Sequence, residues 1–235
     1  MGLELRASLD EIRAVVVMSP HWITPTLSVS VGEDRPILHD FHGFPESLYR
    51  LDYPAPGSKL QAVRLKTVLE EAGYEDVSLT ARGLYHGAWV PLRFLFEKAD
   101  IPVIQISMPY PKDPSWYFRV GEVLRPLVDS GMLLIGSGGM THNLGDYRGQ
   151  SRNIEPFPYV GPFAEWFFDH LSHWDLEALF DYRRRAPEAE RAHPSDDHLM
   201  PLFFALGASP HGVARRFHQD VTHGILAMDS YQFGT

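Results

Sequence analysis

Ala14-Val-Val-Val-Met18, followed by Ser19-Pro20-His21-Trp22, is the stretch on which the fold turns. A β-branched apolar run this short suits a strand buried on both faces, as in a parallel sheet, better than a helix of ordinary length. The strand is expected to stop at Ser19-Pro20, because proline cannot donate to a central ladder. His21 then stands just past the carboxyl end of a strand, where open α/β sheets bind their ligands.

Outward from this stretch, strands and helices alternate. Leu60, Val63, Leu65, Val68 and Leu69 recur at helical spacing between Ser58 and Ala72, and Gly73 is a natural stop. Asp76–Thr80, Ile101–Ser107 and Met132–Gly136 read as further strands, and Gly224–Phe233 is strand-like. A helical stretch runs to Lys98, another from about Pro114 to Ser130 with Asp113 as its N-cap, and others over 161–183 and 196–207. Such alternation predicts βαβ units: an α/β fold with a mainly parallel central sheet flanked by helices, in a single domain over residues 1–235.

Composition narrows the function. At 235 residues and 44% hydrophobic content the chain can bury one substantial core. It holds no cysteine, so thiol chemistry is excluded and any metal must rest on His, Asp or Glu. A formal net charge of −9 argues against a nucleic-acid partner, and the short Arg183-Arg-Arg185 cluster reads as a solvated helix end. No run approaches the roughly 20 apolar residues of a membrane span, and the start lacks a signal-peptide pattern, so a cytoplasmic protein with no membrane partner is expected. The oligomeric state is left open, a homo-oligomer included.

The chain has twelve histidines, and a few stand where a pocket is expected. His21 follows a strand, and His198 opens an apolar helix behind Ser195 as its N-cap; rigid anchoring makes these two the metal-ligand candidates. An imidazole at a strand end equally serves to hydrogen-bond a neighbouring loop, and no His-Glu-x-x-His signature is present. His142 lies beyond Gly136, Gly138 and Gly139, whose bare backbone permits close approach, and an imidazole there could carry protons at neutral pH. Gly136-Ser-Gly-Gly lacks the Gly-Lys-Ser/Thr ending of a phosphate loop. His86 beside Trp89, and His39 and His42 beside Phe41 and Phe44, suit a pocket for a planar, polar-edged molecule, or else loops capped over a core. His170, His173, His193, His211 and His218 read as surface or core packing.

Ser-Pro-His21-Trp22, Leu38-His-Asp-Phe41-His-Gly-Phe-Pro45, Asp52-Tyr-Pro-Ala-Pro-Gly-Ser58, Tyr85-His-Gly-Ala-Trp89, Thr141-His-Asn-Leu144 and Asp197-His-Leu-Met-Pro-Leu202 together resemble, in order, the class III extradiol ring-cleaving dioxygenases, on the 4,5-DOPA dioxygenase side. The resemblance implies a non-haem metal, Fe(II) with Zn(II) also found, and a DOPA-like catechol opened beside its diol with O2. It implies His21 and His198 as metal ligands, His142 as the acid/base and His86 as a catalytic-site histidine. His39, Trp22, Phe41 and Trp89 then line the substrate pocket. It also implies a Gly-His-Gly-Ser-Pro-like strand upstream with another ligand. The twenty residues before His21 contain no histidine, so a shortened start is the expectation. Two alternatives stand beside this reading: a zinc hydrolase using the same pocket, and a catalytically impaired binding protein on the same fold.

Overall fold

Val15, Val16 and Val17 lie near the start of β1 (Ala14–Thr24), and every residue from Ala14 to Pro20 is buried. In this computed structural model, which describes residues 12–33, 35–210 and 214–234, β1 is one of the inner strands of a five-stranded sheet. The others are β2 (Ser28–Val31), β3 (Ser78–Ala81), β4 (Val103–Pro109) and β5 (Met132–Gly136), in the order β3-β2-β4-β1-β5. β1 runs parallel to β4 and β5, and β2 parallel to β3; only the β2–β4 pairing is antiparallel. The fold is therefore α/β with a mainly parallel sheet.

The stop expected at Ser19-Pro20 does not occur. The ladder breaks there, but the strand continues: Met18 pairs with Ile106 and Ile23 with Met108, so five steps along β1 face two along β4. Pro20 sits in this bulge, where no ladder N–H is required of it.

The described residues form two compact units. The first contains the chain up to Pro111 together with Glu122–Ser137, and hence the whole sheet. Its helix α1 (Lys59–Glu71) begins at Ser58, whose hydroxyl accepts from the Gln61 amide at 3.3 Å, and ends before Gly73 at φ +90. The stripe it buries is Ala62, Leu65 and Leu69, while Leu60 and Val63, read above as part of its apolar face, are exposed. Helix α2 (His86–Leu95) packs on β1 and ends short of the expected Lys98. Between them lies a core of Val15, Val17, Tyr53, Leu84, Ala88, Trp89, Leu92 and Val103. Arg35, buried and without an acidic partner among the described residues, donates to Ser30 Oγ at 3.0 Å and to the carbonyls of Pro56 and Val103. It thereby ties the Tyr53–Gly57 loop to β2 and β4, and burial lowers its pKa to about 10.

Helix α3 (Pro114–Leu124) starts in the second unit, which comprises Lys112–Gly121 and the chain from Gly138 onward. It does not reach Ser130 as an α-helix: Pro126 lacks a donor, and residues 125–130 tighten into a 3₁₀ turn. The helical stretch expected over 161–183 is divided into α4 (Val160–Ser172), α5 (Leu176–Phe180) and α6 (Tyr182–Arg185). The break falls at Trp174, at φ +55, and Asp175 restarts the helix by accepting from the Ala178 amide at 3.1 Å. Arg183 is not simply solvated, since it donates to the carbonyls of Ala189 and His193. Beyond α7 (Ala189–Ala192) and α8 (Met200–Gly207), Arg215–His218 pairs with Ser230–Gln232, and Val221–Thr222 with Leu226–Ala227. His211 lies outside the described residues. Among the described residues no helix is long and apolar enough to cross a membrane.

His193 is fully buried in this unit and belongs to its core. Its Nε2 lies 2.8 Å from the Met140 carbonyl, and its Nδ1 has no hydrogen-bond partner among the described residues. A second proton would have no acceptor, and burial pushes the imidazole down to about 4. The unfolded chain, with an ordinary histidine pKa near 6.5, binds that proton first, so stability should fall as pH drops from about 6.5 toward 4. Thermal unfolding of His193→Gln across this range should show a smaller acid-side loss than the parent protein. Equal losses would remove His193 from the account.

Candidate active site

The first unit assembles a histidine–carboxylate group around the β1 bulge. Because the ladder is interrupted between Met18 and Ile23, His21 is released from regular pairing, which is what bulges commonly do to re-aim a side chain. Its ring centroid stands 3.8 Å from that of His86, the first residue of α2. Gly87 makes this approach feasible: a Cβ there would collide with the Ser19 hydroxyl and lie 2.8 Å from His21 Cδ2.

Asp40 completes the group. The segment before it is laid along the chain that enters α2, with Leu84 N–H donating to Pro36 O at 3.0 Å, Leu38 N–H to Leu84 O at 2.7 Å and Trp89 Nε1 to Leu38 O at 3.0 Å. Buried Gln105 of β4 clamps the same turn, donating to Gly83 O at 2.9 Å and accepting from Tyr85 N–H at 3.0 Å. Asp40 Oδ1 accepts from the His86 amide at 2.9 Å, supplying the cap that the Tyr85 side chain does not. The same carboxylate lies 3.0 Å from His86 Nδ1 and 3.7 Å from His21 Nδ1. Donor atoms of His21, Asp40 and His86 all fall within 4.8 Å of one another. His86 Nδ1 is buried and makes no hydrogen bond of proper geometry among the described residues. Two imidazoles and one carboxylate with their donor atoms this close fit a divalent transition metal.

The second unit places two more of the singled-out histidines together. His142 and His198 stack with ring centroids 3.5 Å apart and an interplanar angle of 4°. The glycine turn makes this possible: a Cβ at Gly138 would overlap the His198 carbonyl, and the Gly139 amide donates to that carbonyl at 3.0 Å. The turn therefore cradles the backbone of His198, while the His142 amide is held by Ala192 O at 2.9 Å. Gly138→Ala should cost about 1–3 kcal/mol of stability, as overpacking against backbone does. Urea unfolding measures it, and an unchanged midpoint would show that this approach is not tight.

His198 Nδ1 is 3.0 Å from Asp197 Oδ2, which puts its proton on Nδ1 and its lone pair on Nε2. That hydrogen bond holds Asp197 well below the usual carboxylate range against the opposing effect of burial, with Ser195 Oγ donating to the other oxygen at 2.8 Å. Ser195 thus serves Asp197 and does not cap a helix; α8 begins only at Met200. Burial, then the neighbouring His198, push His142 down to about 4, with Asp197 acting weakly the other way. At neutral pH its ring is an uncharged base.

The remaining expected pocket residues are in the first unit. Phe41 stands edge-on to His86 at 5.6 Å and to His39 at 5.7 Å. His39 lies against Trp89 at 5.6 Å with its Nε2 3.2 Å from Leu51 O, so it belongs to the aromatic cluster and not to the metal-type group. Trp89 is core, 1% exposed, and Trp22 is buried beneath Arg82. Asp40, Asp197, Gln105 and Arg82 were not singled out from sequence. For the two aspartates a signal exists, since each directly adjoins a histidine of a recognised block.

Residues 4–231 match the family of the catalytic LigB subunit of aromatic ring-opening dioxygenase. The chain belongs to the aromatic ring-opening dioxygenase family. Its relatives include the 4,5-DOPA dioxygenase extradiol of Beta vulgaris, 37% identical over 223 residues covering 94% of this chain and 82% of that protein. The protein of the same name from Escherichia coli K12 is 34% identical over 87% of this chain and 76% of its own length. Among solved structures, an uncharacterized protein from Escherichia coli K12 superposes with a TM-score of 0.80 at 29% identity, covering 98% of this chain and 90% of that one. The ring-opening dioxygenase fold thus extends across both units.

Proposed function

We propose that this chain is a metal-dependent extradiol dioxygenase that opens the ring of a DOPA-like catechol with O2, with Fe(II) as its metal. The observation that carries the reading is the His21–Asp40–His86 group, its donors within 4.8 Å of one another, in a chain of the ring-opening family. Bound Fe(II) supplies a centre at which a catechol diol and O2 react together. Everything else falls to the chain.

His21, re-aimed by the bulge, is the metal ligand of the first unit, and His86 lines the site beside it. Asp40 faces the Nδ1 atoms of both rings, and its negative charge raises their basicity, as carboxylates behind metal-binding histidines do. In the second unit His198 is the ligand that the family resemblance implies, its tautomer set by Asp197. His142, uncharged at neutral pH, accepts a catechol proton and returns it as the ring opens. Phe41 presents an apolar edge that limits water beside His86.

Anaerobic loading with Fe(II), followed by O2 uptake and product absorbance with DOPA, tests the reading. Iron-dependent O2 consumption with a coloured ring-opened product supports it. Zinc-dependent ester or amide hydrolysis without O2 uptake would replace it with a hydrolase, and no metal retained with no turnover would leave a binding protein. Asp40→Asn should weaken metal affinity by about 10- to 100-fold, read by competition with a chelator. Undiminished affinity would reduce Asp40 to a helix cap.

A further inference from the structure

Arg82, just past β3, makes no close ion pair among the described residues and lies on two aromatic rings. Its guanidinium carbon lies 4.2 Å from the ring centroid of Tyr85 and 5.2 Å from that of Trp22. Those two aromatics directly adjoin His86 and His21 in the chain, so the cation is carried by the same two segments that carry the metal-type group. Arg82 is partly buried, and its Nε is buried with no hydrogen-bond partner among the described residues. Asp40 is close enough to favour the charged guanidinium, yet its Oδ1 already accepts the His86 amide.

Aromatic faces stabilise a guanidinium but accept none of its five N–H groups in the plane. A buried donor without an acceptor costs free energy that a ligand can recover. The planar fork of arginine matches a carboxylate bidentately. We infer that Arg82 docks the carboxylate of an acid whose catechol ring lies at the His21–His86 group, and so selects arylalkanoic or amino-acid catechols over neutral ones. This rests on the function proposed above and adds to it the charge of the substrate. It names Arg82 as a binding and specificity residue, not a proton carrier.

On the iron-loaded protein, kcat/KM for 3-(3,4-dihydroxyphenyl)propionate should exceed that for its methyl ester at least tenfold. In Arg82→Gln that ratio should collapse toward unity, through KM more than kcat, and Arg82→Lys should recover part of it. An ester used as well as the acid by the parent protein, or a ratio unchanged in Arg82→Gln, overturns the assignment. The parent comparison decides the matter even if the variant does not fold. Should no catechol be consumed at all, the proposed function fails, and Arg82 is then judged without turnover by calorimetry with 3-phenylpropionate. Binding by the parent, weakened at least tenfold in Arg82→Gln, upholds the carboxylate dock. No binding, or equal binding in both, rejects it.

Discussion

Replacing His21 by alanine should strip the protein of bound Fe(II) and abolish ring opening, while the fold survives. The side chain is about one-quarter exposed and sits where the β1–β4 ladder is already interrupted, so its loss removes no ladder hydrogen bond. A stability change within about 1 kcal/mol is expected for such a position. What is lost is an imidazole 3.8 Å from that of His86 and facing Asp40. Iron content after anaerobic loading and desalting is the direct readout, with circular dichroism confirming the fold. His198→Ala should likewise lower metal content. A His21→Ala protein that keeps a full complement of iron would end the proposed role of that residue.

His142→Ala should leave metal content nearly unchanged and lower turnover by about 10²- to 10⁴-fold, the usual worth of a placed acid/base. The ring is stacked flat on His198 and is held uncharged at neutral pH by burial and by that neighbour. Such a ring can take up a proton from a substrate hydroxyl, whereas alanine cannot. His142→Gln separates proton transfer from hydrogen bonding: it should be as slow as the alanine variant. Loss of iron in either variant would make His142 a ligand and not a proton carrier.

The sheet was legible because its signal is local. Ala14–Met18 and Met132–Gly136 are short apolar runs, and both are strands, the second with the residues expected. Pro20 misled because its rule concerns ladder hydrogen bonds, and a bulge suspends the ladder without ending the strand. On α1 the spacing was right but the buried stripe was turned to Ala62, Leu65 and Leu69, since periodicity identifies a helix without saying which neighbouring apolar row meets the sheet. Four of the histidines singled out do meet in pairs, His21 with His86 and His142 with His198. His39 joins the aromatic cluster, while its neighbour Asp40, not singled out from sequence, faces the two imidazoles.

By itself the sequence determined the fold class, the family and the short list of imidazoles, because buried runs, glycine turns and ordered motif blocks are properties of neighbouring residues. Only the tertiary structure decided that Asp40 faces two imidazoles at once, that Gly138 leaves room for the His198 carbonyl, and that Arg82 lies on Trp22 and Tyr85. These depend on close approaches between segments far apart in the chain, set by packing and by a three-residue irregularity in one strand, and no local pattern encodes such distances.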